Sequence, residues 1–223
     1  MYLQWFGQSF FKLTIKNEKG EEVVIAIDPF DKETGLKLPN KFGADITLIT
    51  HDHHDHNNLE VIKGTELTPE SFIISGPGEY EVKGVMIYGI ASFHDNEQGK
   101  KFGENTIYLL QAEEVWLAHL GDLGQKTLTD TQLEQLQGVD VVLIPIGGEY
   151  TINATEASAI IAQLEPRMVI PMHYALPGLK IKLDDVQKFV KEMGLKTAEP
   201  QEKLKIQKKD LPQEETQLTL MQA

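Results

Sequence analysis

Short runs of apolar residues, bounded by Gly, Pro, Asn and Asp, fill the first half of the chain and predict β-strands. A brief strand precedes a turn at Gly7, and the turn residues 17–20 separate two runs that predict an antiparallel hairpin. The predicted strands of this half, after the first, lie at residues 10–15, 22–27, 45–49, 71–75, 81–82, 85–91, 106–110 and 114–118. A short helix is predicted at 59–63 and a tight turn at 76–80.

The pattern changes after residue 118, where apolar runs alternate with amphipathic segments. Helices are predicted at 129–137, 153–164 and 184–193, with strands at 139–146, 168–171, 203–206 and 216–221. Asp130 and Thr131 are the expected capping residues of the first helix. The unbroken apolar run 139–146 is typical of a strand that is covered on both faces. The whole chain, 1–223, is therefore expected to form one α/β domain with two sheets between helical layers.

Composition narrows the chemistry. The 223 residues carry a formal net charge of -13, so neither nucleic acid nor an anionic membrane is expected as a partner. There is no cysteine, which leaves only nitrogen and oxygen as metal ligands. The first residues lack the basic and apolar regions of a signal peptide, and no apolar run approaches the length of a membrane helix. A cytoplasmic protein is the expectation.

The histidines are concentrated where strands end. Four of the seven lie within the segment 51–56, which follows the predicted strand 45–49. The complete set is His51, His53, His54, His56, His94, His119 and His173, and each comes shortly after a predicted strand. Such a cluster is costly unless something binds it, and a divalent metal accepts both imidazole nitrogen and carboxylate oxygen. The sequence therefore predicts a metal site.

The spacing within 51–56 predicts two ions. Residues two apart in an extended segment project to the same side, so His51 and His53 can share one ion. The following turn directs Asp55 and His56 towards a second ion. Each ion needs about four ligands, so two ions need more than this segment provides. The natural additions are His94, Asp122 and His173, of which the carboxylate could bridge both ions.

These motifs resemble the metallo-β-lactamase superfamily. The resemblance rests on His-x-His-x-Asp-His at 51–56, His94, Gly121-Asp122, His173, and Asp28 after the second long strand, and it covers residues 1 to about 180. It implies an αββα sandwich of two mixed β-sheets flanked by helices. It also implies ligand sets: His51, His53 and His94 for the first ion, Asp55, His56 and His173 for the second, and Asp122 bridging both.

Further segments are similar to compact metal-dependent hydrolases related to L-ascorbate-6-phosphate lactonase. They are Ser92-Phe93-His94, His119-Leu120-Gly121-Asp122, Pro145-Ile146-Gly147-Gly148 with Tyr150-Thr151, and Pro171-Met172-His173-Tyr174. The chain lacks the cysteine ligand of the commonest zinc β-lactamases. Only about 50 residues follow His173, too few for the helical domain of glyoxalase II, and no arm like that of ribonuclease Z is visible.

Four neighbours of the predicted ligands have other expected roles. His54 occupies a spacer position and is expected to point away from the metals, and His119 is expected to support or pack against the site. Asp28 is expected to accept backbone N–H bonds that brace the ligand loop. For Asp52 two roles stay open, orienting a ligand or touching substrate.

The substrate is the least defined part of the prediction. Tyr80, Tyr150 and Tyr174 are candidates for the pocket lining, although packing is the favoured role. The segments 31–43 and 95–105 are the loops expected to select substrate, and neither has a recognisable motif.

The predicted function is metal-dependent hydrolysis of an ester, lactone or phosphoester in a small anionic metabolite. A metal-bound hydroxide would attack the substrate, with Asp55 and Asp122 as catalytic residues. Two divalent ions are expected, with Zn²⁺ favoured and Mn²⁺ or Fe²⁺ as alternatives. The alternative functions are a phosphodiesterase or nuclease acting on small nucleotides and a non-catalytic metal-binding protein. A homo-oligomer is compatible with the sequence.

Overall fold

The computed structural model describes residues 1–66 and 68–223, and two mixed β-sheets pack face to face within them. The strands are β1 Tyr2–Trp5, β2 Phe11–Lys16, β3 Glu22–Ile27, β4 Phe42–Gly43, β5 Ile46–Leu48, β6 Ile62–Lys63, β7 Phe72–Ile74, β8 Gly78–Val82, β9 Val85–Phe93, β10 Glu104–Ala112, β11 Val115–His119, β12 Val141–Pro145, β13 Met168–Met172, β14 Leu204–Lys205 and β15 Gln217–Leu218. The α-helices are α1 Asp130–Gln135, α2 Ala154–Leu164 and α3 Val186–Met193. Short 3₁₀ helices lie at Lys32–Thr34, Leu59–Val61 and Lys208–Asp210.

The smaller sheet has the strand order β14-β1-β2-β3-β5-β7, and the larger has the order β15-β13-β12-β11-β10-β9-β8. In the smaller sheet the predicted hairpin β2–β3 is antiparallel, whereas β3, β5 and β7 run parallel. In the larger sheet β8 to β11 are antiparallel, and β11, β12, β13 and β15 are parallel. Strands β4 and β6 pair separately.

The main core lies between the two sheets and follows from the alternation along each strand. In β2, Phe11, Leu13 and Ile15 are buried in this core, while the residues between them are partly exposed. Strands β12 and β13 are buried along their whole length, as the unbroken apolar runs predicted. The α/β class with two mixed sheets is confirmed.

Helices and loops cover the outer faces. All three α-helices follow strands of the larger sheet, and α2 buries Ala157, Ile160 and Leu164. The outer face of the smaller sheet is covered by a second apolar cluster around Phe10 and Phe30. Among the described residues, no helix is long and apolar enough to cross a bilayer.

Three local predictions differ from the structure. The turn predicted at 76–80 is too long, because β8 begins at Gly78 and pairs there with Gly89. A side chain at 89 would collide with the Gly76 carbonyl, so glycine permits this close approach. The predicted helix 59–63 is a single 3₁₀ turn followed by β6, since Val61 turns into the second apolar cluster. Thr129, rather than Asp130 or Thr131, caps α1 in a capping box.

One edge of the sandwich collects the strand ends that carry the polar motifs. Strands β3, β5, β9, β11 and β13 run towards this edge, where they deliver respectively Asp28, the segment 50–56, His94, Asp122 and His173. Distant parts of the sequence therefore meet at one place.

Candidate metal centre

A buried carboxylate organises the histidine loop. Asp28 accepts hydrogen bonds from the backbone N–H of Thr50 at 2.8 Å and from its Oγ1 at 2.6 Å. The same carboxylate lies 2.9 Å from Nδ1 of His56, and both side chains are fully buried. With the Nδ1 proton donated to Asp28, Nε2 of His56 is left as a ligand nitrogen. The expected bracing by Asp28 is present, and it also fixes the orientation of His56.

The first ligand group consists of three imidazoles. One ring nitrogen from each of His51, His53 and His94 lies within 4.8 Å of the others. The ring centres of His51 and His53 are 4.5 Å apart, and those of His51 and His94 are 4.7 Å apart. Thr50 Oγ1 lies 3.0 Å from Nδ1 of His51, which leaves Nε2 of that ring facing the group. Three neutral imidazoles at this spacing can hold one divalent ion.

Asp122 joins the first group to the second, which consists of Asp55, His56 and His173. Its Oδ2 atom lies 3.4 Å from Nε2 of His94, 3.3 Å from Nε2 of His56 and 3.2 Å from Nε2 of His173. Asp55 Oδ2 is 3.6 Å from Nε2 of His56. One carboxylate oxygen thus contacts histidines of both groups, as a bridging ligand requires.

Electrostatics favour the ligand forms of most of these groups. Burial, reinforced by the neighbouring His56, lowers the pKa of His51, and burial together with His94 lowers that of His53. Burial also lowers the pKa of His173. These three imidazoles are therefore neutral at pH 7, which is the form that binds metal.

The pKa values of His56 and His94 move in the opposite direction. For His56, burial opposes the charge, but the carboxylates of Asp122, Asp55 and Asp28 outweigh burial and hold the pKa well above the usual value. For His94, burial is likewise outweighed by Asp122, which raises the pKa. The pKa of Asp122 is held low, since the adjacent histidines overcome its burial. Without metal, a proton on His56 compensates part of the negative charge, and a metal ion must displace that proton.

Asp122 is held by residues that the sequence interpretation did not single out. Ser9 Oγ donates to Asp122 Oδ1 at 3.2 Å, and Asn105 Oδ1 accepts the Asp122 backbone N–H at 3.0 Å. The Asn105 amide also donates to Ser92 Oγ and to the Leu120 carbonyl. Asn105 is the second residue of β10 and precedes the strand predicted at 106–110, so no local sequence pattern marked it.

His119 supports the same loop without joining the ligand groups, as expected. Its Nδ1 accepts the Gly121 N–H at 3.1 Å, so its proton resides on Nε2 and is donated to the Ser9 carbonyl at 2.9 Å. The ring also packs edge-on against Phe11. Burial lowers the pKa of His119 and keeps the ring neutral.

Three non-glycine residues around the site have left-handed backbone conformations. The φ angles are +48° at Gln8, +50° at Asp28 and +51° at His173. The Gln8 carbonyl accepts bonds from Trp5 Nε1 and from the His173 N–H, which hold both strained residues. Its side-chain Nε2 lies 3.4 Å from Nε2 of His173. Strain of this kind persists where the surroundings fix it and is concentrated at functional sites.

A pocket of about 400 Å³ opens over the ligand groups. Its lining consists of Asp52, His53, His54, Asp55, His94, Phe102, Asp122, Tyr150, His173 and Ile181. Phe102 belongs to the predicted substrate loop 95–105, whereas Tyr150 and Ile181 lie outside both predicted loops. The other predicted loop, 31–43, contributes Leu36 and Leu38 to the cluster on the smaller sheet.

The remaining candidates have separate places. His54 is exposed, and its Nδ1 lies 3.2 Å from Asp31 Oδ1, directed away from the ligand groups as expected. Asp52 lines the pocket and accepts a hydrogen bond from Asn57, so substrate contact is open to it. Tyr80 bonds to the Gly76 and Pro77 carbonyls, and Tyr174 packs against Trp5. Tyr150 alone of the three named tyrosines reaches the pocket.

The donor atoms fit a metal. Nε2 of His51 and Nε2 of His56 are buried and have no hydrogen-bond partner among the described residues. Buried polar atoms are normally satisfied, and a divalent ion satisfies imidazole nitrogens in this arrangement. All donors are nitrogen or oxygen, a set that Zn²⁺, Mn²⁺ and Fe²⁺ accept.

The chain is similar in sequence to known proteins. The family model of the β-lactamase superfamily domain matches residues 2–173. A UPF0173 metal-dependent hydrolase from Thermococcus onnurineus is 33% identical over 190 residues, which cover 74% of this chain and 84% of that protein. Another from Methanopyrus kandleri is 27% identical over 221 residues, covering 87% and 94% respectively.

A solved structure extends the comparison to the whole fold. A protein from Thermotoga maritima, described as a Zn-dependent hydrolase of the metallo-β-lactamase superfamily, is 32% identical with a TM-score of 0.77, over 99% of this chain and 97% of that one. The finer resemblance to L-ascorbate-6-phosphate lactonase stays a prediction. The chain belongs to the metallo-β-lactamase superfamily, and it is a metal-dependent hydrolase.

Proposed function

We propose that this hydrolase holds two divalent ions and cleaves an ester, lactone or phosphoester in a small anionic metabolite. The observation that supports two ions is the position of Asp122 Oδ2, within 3.2–3.4 Å of histidines from two separate ligand groups. The proposed ligands are His51, His53 and His94 for one ion, Asp55, His56 and His173 for the other, and Asp122 between them.

The chain's own groups define what such a site can do. Two bound divalent ions would supply an acidified water and a polarised electrophile. Asp55 borders the pocket with 16% of its side chain exposed, and its pKa is lowered because His56 overcomes the effect of burial. Asp55 is therefore ionised at pH 7 and can orient a proton of the attacking water. Ser9 fixes one oxygen of Asp122, leaving Oδ2 directed at the ligand groups.

Charge around the pocket favours an anionic substrate. Two dications with Asp55 and Asp122 leave a local charge of about +2, and Asp52 reduces it to about +1. Lys101 adds a positive charge near the rim, where its Nζ lies 4.5 Å from the ring centre of Phe102. The rest of the protein is acidic, so attraction of an anion is a local property of this pocket.

Zinc is the proposed metal, with manganese and iron as alternatives to be compared directly.

The same pocket also supports a second candidate function, cleavage of a phosphodiester in a small nucleotide. The observation that favours it is the pair of aromatic side chains, Phe102 and Tyr150, in the pocket lining, because aromatic faces stack on nucleobases.

The test is a substrate panel on protein loaded with each metal in turn. The panel contains a lactone, a carboxylic ester, a phosphomonoester and bis(p-nitrophenyl) phosphate. We expect hydrolysis of at least one class, and loss of both activity and bound metal in Asp122→Asn. Asp130→Asn is the matched control, because Asp130 is an exposed carboxylate in α1 and lies outside the pocket lining. Full activity in metal-free protein or in Asp122→Asn would refute the proposal.

A further inference from the structure

A row of three rings leads from the ligand groups to the open part of the pocket. The ring of Phe102 lies 5.4 Å from that of His94, and the ring of Tyr150 lies 5.9 Å from Phe102 at an angle of 65°. Phe102 and Tyr150 both line the pocket, and Tyr150 is 40% exposed. An aromatic surface therefore begins one ring away from a proposed metal ligand.

One carboxylate accepts four backbone hydrogen bonds from the loop that carries Phe102. Asp95 accepts backbone N–H bonds from Glu97, Gly99, Lys101 and Phe102, all between 2.7 and 2.9 Å. The backbone that carries the Phe102 ring is consequently held before any ligand arrives, which reduces the entropy lost on binding.

The loop that carries Tyr150 is also closed on itself. The Gly148 N–H donates to the Ile152 carbonyl, and the Ile152 N–H donates to the Leu123 carbonyl. The exposure of Tyr150 sets it apart from a packing residue, since the phenol stands at the pocket while its backbone is anchored. Asp28 orients His56, Thr50 contacts His51 and Ser9 holds Asp122, while the Tyr150 ring packs against Phe102 rather than against a ligand ring.

We propose that Phe102 and Tyr150 bind a flat aromatic or heteroaromatic ring that the substrate carries next to its anionic, scissile group. This inference rests on the proposed function, because it assigns a second recognition element to the same pocket. Aromatic pairs gain affinity beyond the burial of area, equivalent to about two- to tenfold in binding. An aryl group and a nucleobase share this chemistry, and the experiment separates them.

The test compares two phosphonates of similar size by isothermal titration calorimetry of the zinc-loaded protein. Phenylphosphonate carries a flat aromatic ring, and cyclohexylphosphonate carries a puckered saturated one. We expect phenylphosphonate to bind about fivefold more tightly. The difference should disappear in Phe102→Leu and Tyr150→Leu and should persist in Tyr150→Phe. Tyr2→Leu is the matched control, because Tyr2 is 41% exposed, similar to Tyr150. Its ring contacts Lys203 Nζ, and its strand β1 pairs with β2 and β14.

The outcomes separate this inference from the proposed function. Equal affinity for the two phosphonates would overturn the aromatic site while leaving the hydrolase proposal intact. Absence of binding by either phosphonate, together with no hydrolysis in the substrate panel, would overturn both. Titration with adenosine monophosphate and ribose 5-phosphate distinguishes the source of the ring. Tighter binding of adenosine monophosphate supports a nucleobase. Equal binding of these two compounds, together with tighter binding of phenylphosphonate than of cyclohexylphosphonate, supports an aryl group.

Discussion

Replacing Asp28 by asparagine should change the proton position on His56 while preserving side-chain volume. The two carboxylate oxygens of Asp28 accept three buried hydrogen bonds, two from Thr50 and one from His56. An asparagine that keeps its oxygen on the Thr50 N–H places its NH₂ group against Nδ1 of His56. The imidazole must then carry its proton on Nε2, the nitrogen 3.3 Å from Asp122 Oδ2.

The effect of Asp28→Asn is divided between metal affinity and folding stability. A proton on Nε2 blocks that nitrogen as a ligand, and loss of such an orienting partner lowers metal affinity by about 10- to 100-fold. The metal-free protein loses about 1–3 kcal/mol from the mismatched bonds. A new bond from Nε2 to Asp122 offsets part of that loss. The main consequence of Asp28→Asn is therefore weakened metal binding with a smaller change in folding stability.

Two measurements on Asp28→Asn separate these effects. Competition with a chromophoric chelator reports zinc affinity, and urea unfolding in the presence of EDTA reports the stability of the metal-free protein. Asp130→Asn is the control, because this exposed carboxylate belongs to none of the possible ligand groups and should leave both quantities unchanged. Zinc affinity within twofold of the wild type in Asp28→Asn would refute the orienting role of Asp28.

Three further predictions concern protonation, the pocket loop and the Asp122 support. Because the pKa of His56 is raised in the fold, its protonation stabilises the metal-free protein fully below about pH 6.5, and this stabilisation is lost as the pH rises through the folded pKa. Zinc binding at neutral pH should therefore release a proton, seen as buffer-dependent calorimetric enthalpy; a buffer-independent enthalpy would contradict this. Asp95→Ala should speed tryptic cleavage within residues 97–103, because it removes four backbone hydrogen bonds, whereas Glu97→Ala should not. Equal cleavage rates of Asp95→Ala and the wild type would show that the carboxylate does not hold the loop. Asn105→Ala should destabilise metal-free protein by about 2–4 kcal/mol in urea, since it leaves buried polar groups unpaired, whereas the exposed Asn96→Ala should change stability little.

Most residues of the candidate metal site could be predicted from the sequence because they directly follow strands. Each strand that leads into a predicted ligand was visible as an apolar run. Parallel strands bring their carboxyl ends to one edge, so His94 and His173 could be placed beside the 51–56 segment. The role of Asp28 followed from its position after such a strand. The spacing within 51–56 indicated the division of that segment between two ions, and the family resemblance assigned His94, His173 and Asp122 to them.

The parts that were missed depend on tertiary packing. Asn105 acts through three hydrogen bonds to other strands and loops, and no local pattern predicts such partners. The pocket wall at Tyr150 and Ile181 depends on how loops after β12 and β13 fold back, which is set by packing rather than by turn residues. The segment 59–63 has helical composition, but burial of Val61 against the smaller sheet decides its conformation.

The most direct test of the two-metal site is a crystal structure of the zinc-loaded protein with anomalous diffraction measured at the zinc edge. We expect two anomalous peaks, with the Asp122 carboxylate between them. One peak should be surrounded by His51, His53 and His94, and the other by the second ligand group, Asp55, His56 and His173. A single peak at full occupancy, or two ions without contact to Asp122, would contradict the two-metal site.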